Sequence, residues 1–307
     1  MGKKWSEKDI PDLTGKIIII TGANNGLGLE NTKEFARKNA TIIMACRNMT
    51  KGQNAIAKVT KEIPQAKVEL MELDLANLSS VKQFVTSFKK KYSKLDILLN
   101  NAGIMMVPYR KTVDGFESQI GTNHLGHFAL TALLFDVLYQ TPGSRIINVS
   151  SDAHNFGKMD WNDFMFENNY GRVKAYGRSK LANLLFTYEM DRRFKAKDIP
   201  ILSLASHPGT ANTGLGDHLF GPVKFILKPI VFLIIAQSAY KGSLPSARAA
   251  VDPNVQGGEY FGPKGIFGTQ TRGSPAIIHS NERSYNLEDA KKLWEVSEQL
   301  TGIEFRI

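Results

Sequence analysis

Short aliphatic runs alternate with longer segments of helical period over the first two thirds of the chain. Lys16 to Thr21 (KIIIIT) is an unbroken aliphatic run, the pattern of a strand buried on both faces of a parallel sheet. Comparable runs recur at Thr41 to Ala45, Val68 to Leu73, Leu95 to Asn100, Arg145 to Ser150 and Ile201 to Ser206. Between them, apolar spacing predicts helices over Gly26 to Lys38, Met49 to Glu62, Leu78 to Tyr92, Asp114 to Tyr139 and Ala175 to Lys197. Such alternation needs crossover connections, which are right-handed. It predicts an α/β fold: a Rossmann-type, doubly wound parallel sheet with helices on both faces.

Beyond Pro208 the pattern loosens. A helix from Gln237 to Ala250, a strand near Glu259 to Gly262 and a terminal helix near Leu287 to Leu300 are expected there. No composition break marks a second domain. The expectation is one domain over 1–307, with an N-terminal extension at 1–13, a variable segment at 214–250 and a C-terminal extension at 263–307.

Composition changes this picture little. The 307 residues are 42% hydrophobic, enough for a sizeable core. Their 39 basic against 29 acidic residues leave a charge of +10, which invites a nucleic-acid reading. The densest basic cluster, Lys89, Lys90, Lys91 and Lys94, closes a segment whose apolar positions are Val81, Phe84, Val85 and Phe88. That is a solvated helix end, so no nucleic-acid partner is expected, and a polyanionic cofactor accounts for part of the surplus. The lone Cys46 excludes an intramolecular disulfide or a thiolate cluster. With a polar Met1 to Leu13 and no spanning apolar run, a cytoplasmic protein is expected. Leu219 to Ala236 is apolar on nearly all sides around Lys224 and Lys228. It must be covered by the protein's own packing, by service as a substrate lid, or by a peripheral membrane or homodimer contact.

Directly after the first strand comes Thr21-Gly22-Ala23-Asn24-Asn25-Gly26-Leu27-Gly28, running into a helix. A strand that turns through glycines into a helix N-terminus brings backbone N–H groups against a phosphate. Two further motifs follow in order: Asn100-Asn101-Ala102-Gly103 after the fourth strand, and Tyr176-x-x-x-Lys180 on a helix. Together the three resemble the classical short-chain dehydrogenase/reductase family over about residues 14 to 262. Ala45-Cys46-Arg47-Asn48, Asn123-His124-Leu125-Gly126-His127-Phe128, Ser150-Ser151-Asp152-Ala153-His154 and His207-Pro208-Gly209 look most like its retinol-dehydrogenase-like and WW-domain-oxidoreductase-like branch. Asn39 departs from that branch, which often has glycine before the second strand.

The resemblance implies hydride transfer between a nicotinamide cofactor and a carbonyl or alcohol. A proton donor must then stand at the carbonyl oxygen. Residues i and i+4 share a helix face, which puts the Lys180 ammonium beside the Tyr176 phenol. At ~4 Å and an effective dielectric of ~20, that cation is worth about 4 kcal/mol, enough to lower the phenol pKa by roughly three units before desolvation. Tyr170 to Lys174 also spells Y-x-x-x-K, but Asn168, Asn169 and Gly171 suit a loop.

By resemblance, Asn123, Ser151, Tyr176 and Lys180 form the catalytic set. Ser151 orients the substrate oxygen, with Ser150 beside it as an ambiguity, and Asn123 holds a water through a local break in its helix. Ser151 stands 25 residues before Tyr176, a longer spacing than in compact members, so residues around Gly157 to Arg172 loop out. The cofactor-binding set is Thr21, Gly22, Asn24, Gly26, Leu27, Gly28, Arg47, Asp74, Leu75, Asn101, Ala102, Gly103, Tyr176, Lys180, Pro208, Gly209, Thr210 and Thr213. NADP(H) is expected over NAD(H), because the second strand ends at Cys46 and Arg47, where NAD-preferring members carry an acidic residue. No metal is expected at His124-x-x-His127, and His154 and His207 suit satisfied loop histidines.

The expected substrate is a small lipophilic aldehyde, ketone or alcohol. Two rivals are a nucleotide-sensing protein without turnover and a protochlorophyllide-reductase-like enzyme. The second needs an active-site cysteine, and Cys46 lies far in sequence from the catalytic helix.

Overall fold

The isoleucine run conceals an alternation. In β1 (Ile17–Thr21), Ile18 and Ile20 face one apolar layer and Ile19 the other, as a strand covered on both sides requires. The computed structural model describes residues 5–209, 238–265 and 269–307. Its strands continue as β2 (Thr41–Cys46), β3 (Lys67–Glu72), β4 (Ile97–Asn100), β5 (Arg145–Val149), β6 (Leu202–Ser206), β7 (Tyr260–Lys264) and β8 (Ser274–Ile278). They form one sheet in the order β3-β2-β1-β4-β5-β6-β7-β8, parallel throughout except for β8, which pairs antiparallel with β7.

The helices are α1 (Gly26–Ala36), α2 (Met49–Glu62), α3 (Leu78–Lys91), α4 (Ser118–Ile120), α5 (Gly126–Leu133), α6 (Phe135–Tyr139), α7 (Arg172–Ala196), α8 (Ala239–Val251) and α9 (Leu287–Thr301). α1, α2 and α8 bury Phe35, Val59 and Ala247 against the Ile18, Ile20 and Ile42 face. α3, α5, α7 and α9 bury Phe84, Phe128, Phe186 and Trp294 against the other. The chain leaves β1 for β2 on one side and reaches β4 on the other, so a crevice opens beyond the carboxyl ends of β1 and β4.

Four details depart from the sequence pattern. The helix expected over Asp114 to Tyr139 starts only at Ser118, because Glu117 caps it by accepting from Gln119 N and Ile120 N at 2.9 Å each. It then widens into a π turn over Gly121–Leu125, and α5 resumes at Gly126, where a side chain would strike the Leu75 carbonyl. α7 begins at Arg172, one turn ahead of Ala175. β8 was missing from the pattern because Pro275 cannot donate to a ladder, which it can afford only on an edge strand. The fourth is Asn39, at φ 69°, which takes the left-handed turn that glycine would otherwise fill and donates to Asp12 Oδ1 at 2.9 Å.

The basic cluster is locally paired. Lys89 meets Asp136, Lys91 meets Glu69, and Lys94 donates to the Gly15 carbonyl. The C-terminal extension adds core: Trp294 stacks on Phe305 at 4.8 Å and meets Phe128 edge-on at 5.6 Å. No described helix is long and apolar enough to cross a membrane. Thr210, Thr213 and the apolar stretch Leu219 to Ala236 lie outside the described residues.

Candidate active site

The glycine turn is built from backbone. Gly22 holds φ +67°, and its N–H donates to the Ala45 carbonyl at 2.8 Å, which ties the turn to the end of β2. At Gly28 a side chain would approach Asn101 Nδ2 and the Gly22 carbonyl at 2.7 Å each, so only glycine lets the helix start this close to β1. Asn101 Nδ2 in turn donates to the Thr21 carbonyl at 2.8 Å. Thr21 Oγ1 accepts from Asn101 N and Ala102 N at 2.9 Å each, joining the loops after β1 and β4.

The helix N-termini differ in a telling way. Asn48 and Asn77 cap α2 and α3 with their side chains, whereas the Asn25 side chain caps nothing in α1. Nor does the first turn of α1 hold an acidic residue. Its amides and its dipole therefore face the crevice without a side-chain acceptor from the cap. Arg47 is exposed just past β2, and Asp74 follows β3 with Oδ1 accepting from Ala76 N at 3.0 Å. Leu27 and Leu75 are buried and Asn24 half-buried.

The second cluster stands at the end of β5 and on α7. Tyr176 is 6% exposed, with the Ser151 side chain in hydrogen-bond reach of its phenol. Ser150 Oγ donates to the Lys180 carbonyl at 2.8 Å, whereas Ser151 Oγ accepts from Ala153 N at 3.2 Å. Lys180 Nζ lies 5.7 Å from the Tyr176 ring centre and donates to the Val149 carbonyl at 3.0 Å. Asn123 sits in the π turn. Its side chain accepts from Ile104 N at 2.8 Å and donates to the Ile104 carbonyl and Ser179 Oγ at 2.9 Å. Gly103 packs onto this group, its Cβ position 3.1 Å from Asn123 Oδ1 and 3.6 Å from Lys180 Nζ.

The electrostatics differ from the sequence expectation. Burial pushes the Tyr176 phenol up to about 12, with the Ser151 bond pulling down and the Asp152 charge pushing up. Burial also draws the Lys180 ammonium down to about 8. In the protein alone, desolvation is the leading cause of both shifts. At neutral pH the pair is a neutral phenol beside a cation.

Tyr170 has an equally perturbed phenol, pushed up to about 12 by burial, so titration does not separate the two tyrosines. Geometry does. Tyr170 donates to the Val107 carbonyl at 2.7 Å and accepts from Gln119 Nε2 at 2.9 Å, in the looped-out segment before α7. Cys46 lies under the glycine turn, its thiol pushed up to about 11 by burial, with β1 and β4 separating its strand from β5.

His154 is fully engaged: Nδ1 donates to the Ser151 carbonyl at 2.6 Å, and Nε2 accepts from Asn281 N at 3.1 Å. His207 is not, since Nδ1 accepts from Gly209 N at 3.1 Å while Nε2 is buried without a partner. Burial drives its pKa down to about 3, so it is neutral, and its 3.3 Å approach to Asp152 is no ion pair. Pro208 and Gly209 follow β6 at the carboxyl end of the sheet, where a Gly209 side chain would strike the Thr271 carbonyl. Among the described residues no group of three or more His, Cys, Asp or Glu could hold a metal. Sequence reasoning missed Asn281, whose side chain also donates to the His154 carbonyl at 3.0 Å. No motif signalled it, because its partner lies 127 residues away.

Comparison with known proteins gives the family. The family described as short chain dehydrogenase matches residues 16–220. Retinol dehydrogenase 13 of Homo sapiens is 39% identical, covering 95% of this chain and 86% of that protein. Retinol dehydrogenase 14 of Homo sapiens is 36% identical, covering 94% and 87%. An uncharacterized protein from Mycobacterium paratuberculosis, solved as a crystal structure, is 40% identical with a TM-score of 0.82 over 99% of this chain and 100% of that one. A short chain dehydrogenase from Shigella flexneri, crystallised with NADP, shares the fold at 20% identity and a TM-score of 0.64, covering 81% and 97%. The turn that ties β1 to β4, the buried Tyr176 and Lys180 pair, and these relatives converge: the chain belongs to the short-chain dehydrogenase family of oxidoreductases.

Proposed function

We propose that the chain is an NADP(H)-dependent oxidoreductase that interconverts a lipophilic aldehyde or ketone and its alcohol. The observation that carries this reading is the buried Tyr176 phenol with Ser151 close enough to draw its pKa down and Lys180 one turn along α7. The residues fit a dinucleotide. The uncapped N-terminus of α1 suits a pyrophosphate, held with Thr21, Asn24, Gly26 and Leu27, while bare Gly22 and Gly28 let the turn pack close against Ala102 and Asn101. Arg47 suits a 2′-phosphate, which a carboxylate at that place would repel. Asp74 and Leu75 border the adenine. Asn101, Ala102 and Gly103 would support the nucleotide, and Pro208 and Gly209 would stand at its nicotinamide end; Thr210 and Thr213, expected there by resemblance, lie outside the described residues.

The bound nucleotide supplies the hydride, and the protein supplies position and proton. Ser151 orients the carbonyl oxygen. Tyr176 donates its phenolic proton to that oxygen as the carbonyl carbon is reduced, and the Lys180 cation stabilises the phenolate left behind. Asn123, fixed by Ile104 and Ser179, backs the relay that returns the proton. The retinol dehydrogenases among its relatives, together with the apolar residues 219–236, support a lipophilic substrate and leave the protein's own packing, a lid, a membrane contact or a homodimer contact as uses of that stretch.

The test is purified protein with NADPH or NADH and a panel of aldehydes and ketones, long-chain and retinoid members included. Alcohol formation that consumes NADPH in preference to NADH supports the reading. Tight NADPH binding with no turnover of any carbonyl makes the chain a nucleotide-binding protein instead.

A further inference from the structure

His127 lies outside the catalytic set, yet it touches both halves of the site. The ring is 2% exposed, with Nε2 2.9 Å from Thr21 Oγ1 and Nδ1 3.0 Å from the Asn123 carbonyl. Its tautomer follows from counting protons. A hydroxyl has two lone pairs and one proton. Asn101 N and Ala102 N occupy the lone pairs of Thr21 Oγ1. Its proton therefore goes to His127 Nε2 at 2.9 Å, in preference to the Leu99 carbonyl at 3.4 Å. Nε2 is then the acceptor, Nδ1 carries the ring proton, and that proton points at the Asn123 carbonyl. The opposite tautomer would set a bare nitrogen against a carbonyl oxygen. The doubly protonated ring is disfavoured by burial, with the Lys180 cation adding to it, and the pKa is held down to about 4.

The connection extends past Asn123. Asn123 Nδ2 donates to Ser179 Oγ at 2.9 Å, and Ser179 Oγ donates to the Tyr176 carbonyl at 2.8 Å. An unbroken path thus runs from the end of β1, through one imidazole, to the helical turn that carries the phenol. We propose that His127 is a positioning residue that couples the nucleotide side to the proton relay, holding Thr21 with one ring nitrogen and the π-turn carbonyl of Asn123 with the other. This rests on the functional reading above.

The two contacts can be separated, because an asparagine amide sits near the place of Nδ1 and a glutamine amide near that of Nε2. Losing one such bond is worth roughly tenfold in a rate or a binding constant. His127→Asn keeps a donor for the Asn123 carbonyl and loses Thr21. It should weaken NADPH binding, read by fluorescence quenching, about tenfold while kcat stays within about threefold. His127→Gln keeps an acceptor for Thr21 and loses Asn123, so kcat should fall about tenfold with the NADPH Kd within about threefold. His127→Phe should lose both. Parallel losses of kcat and affinity that track each variant's Tm would show a merely structural ring and overturn the proposal, as would unchanged values in both amide variants. Wild-type protein that binds NADPH and reduces no carbonyl would defeat the functional reading and, with it, the Asn123 arm. In that case the binding constants still decide the Thr21 arm.

Discussion

The two sides of the crevice are held in different ways. On the nucleotide side the chain is fixed largely by its own backbone: Gly22 N bonds the Ala45 carbonyl, the Thr21 hydroxyl gathers two amides, and Gly28 is barred from carrying a side chain. On the catalytic side the parts are buried side chains from distant segments. Lys180 is tied to Val149, Asn123 to Ile104, and the turn after Ser151 to Asn281 through His154. A site for a fixed cofactor can be written in consecutive residues, because phosphates need amides and room. A proton donor needs a desolvated environment, and only the folded chain supplies that.

Breaking the nucleotide side should give the largest loss of cofactor affinity. Gly28→Val places carbon within 2.7 Å of Asn101 Nδ2 and the Gly22 carbonyl, and should weaken NADPH binding by roughly 100-fold or more in titration calorimetry. Arg47→Asp addresses one charge on the same side. It should lower the ratio of kcat/KM for NADPH over NADH by about 10- to 100-fold while leaving Tm within a few degrees. Asn281→Ala probes the other side from outside the motifs. It strips the His154 carbonyl of its side-chain donor and loosens the turn carrying Ser151, which should cost about 1–3 kcal/mol of stability in denaturant unfolding and lower kcat severalfold, with the NADPH Kd unchanged.

The mildest perturbation is pH. With Lys180 drawn down to about 8, the ammonium loses its proton as pH rises through that value, whereas Tyr176 at about 12 stays protonated. The profile of kcat/KM for reduction should therefore fall above about pH 8, and Lys180→Arg should move that limb out of range. A limb that persists unchanged in the arginine variant would assign it to another group.

Legibility in the sequence followed the same division. The strands β1 to β6, the glycine turn and the Tyr176 and Lys180 pair were all visible as local patterns. The π turn at Asn123 was anticipated only as a break within one long helix, since what sets its limits is Glu117 capping α4 and Gly126 meeting Leu75. β8 was hidden by Pro275, and the links of His154 to Asn281 and of His127 to Thr21 are long-range pairings that no spacing rule encodes. The sign of the Tyr176 shift is hidden for a related reason: proximity to Lys180 is written in the i, i+4 spacing, whereas the burial that raises the phenol pKa depends on the whole core.

The central claim is that Tyr176 is the proton donor and Tyr170, despite its matching motif and pKa, a structural clamp on the loop at Val107. Single-turnover reduction of one aldehyde at saturating NADPH, run side by side on Tyr176→Phe and Tyr170→Phe, tests it most directly. The account predicts that Tyr176→Phe lowers the rate on the order of 1,000-fold with NADPH affinity within a few-fold, and that Tyr170→Phe leaves the rate within about threefold. A Tyr176→Phe enzyme as fast as wild type, or a larger loss in Tyr170→Phe, would contradict it.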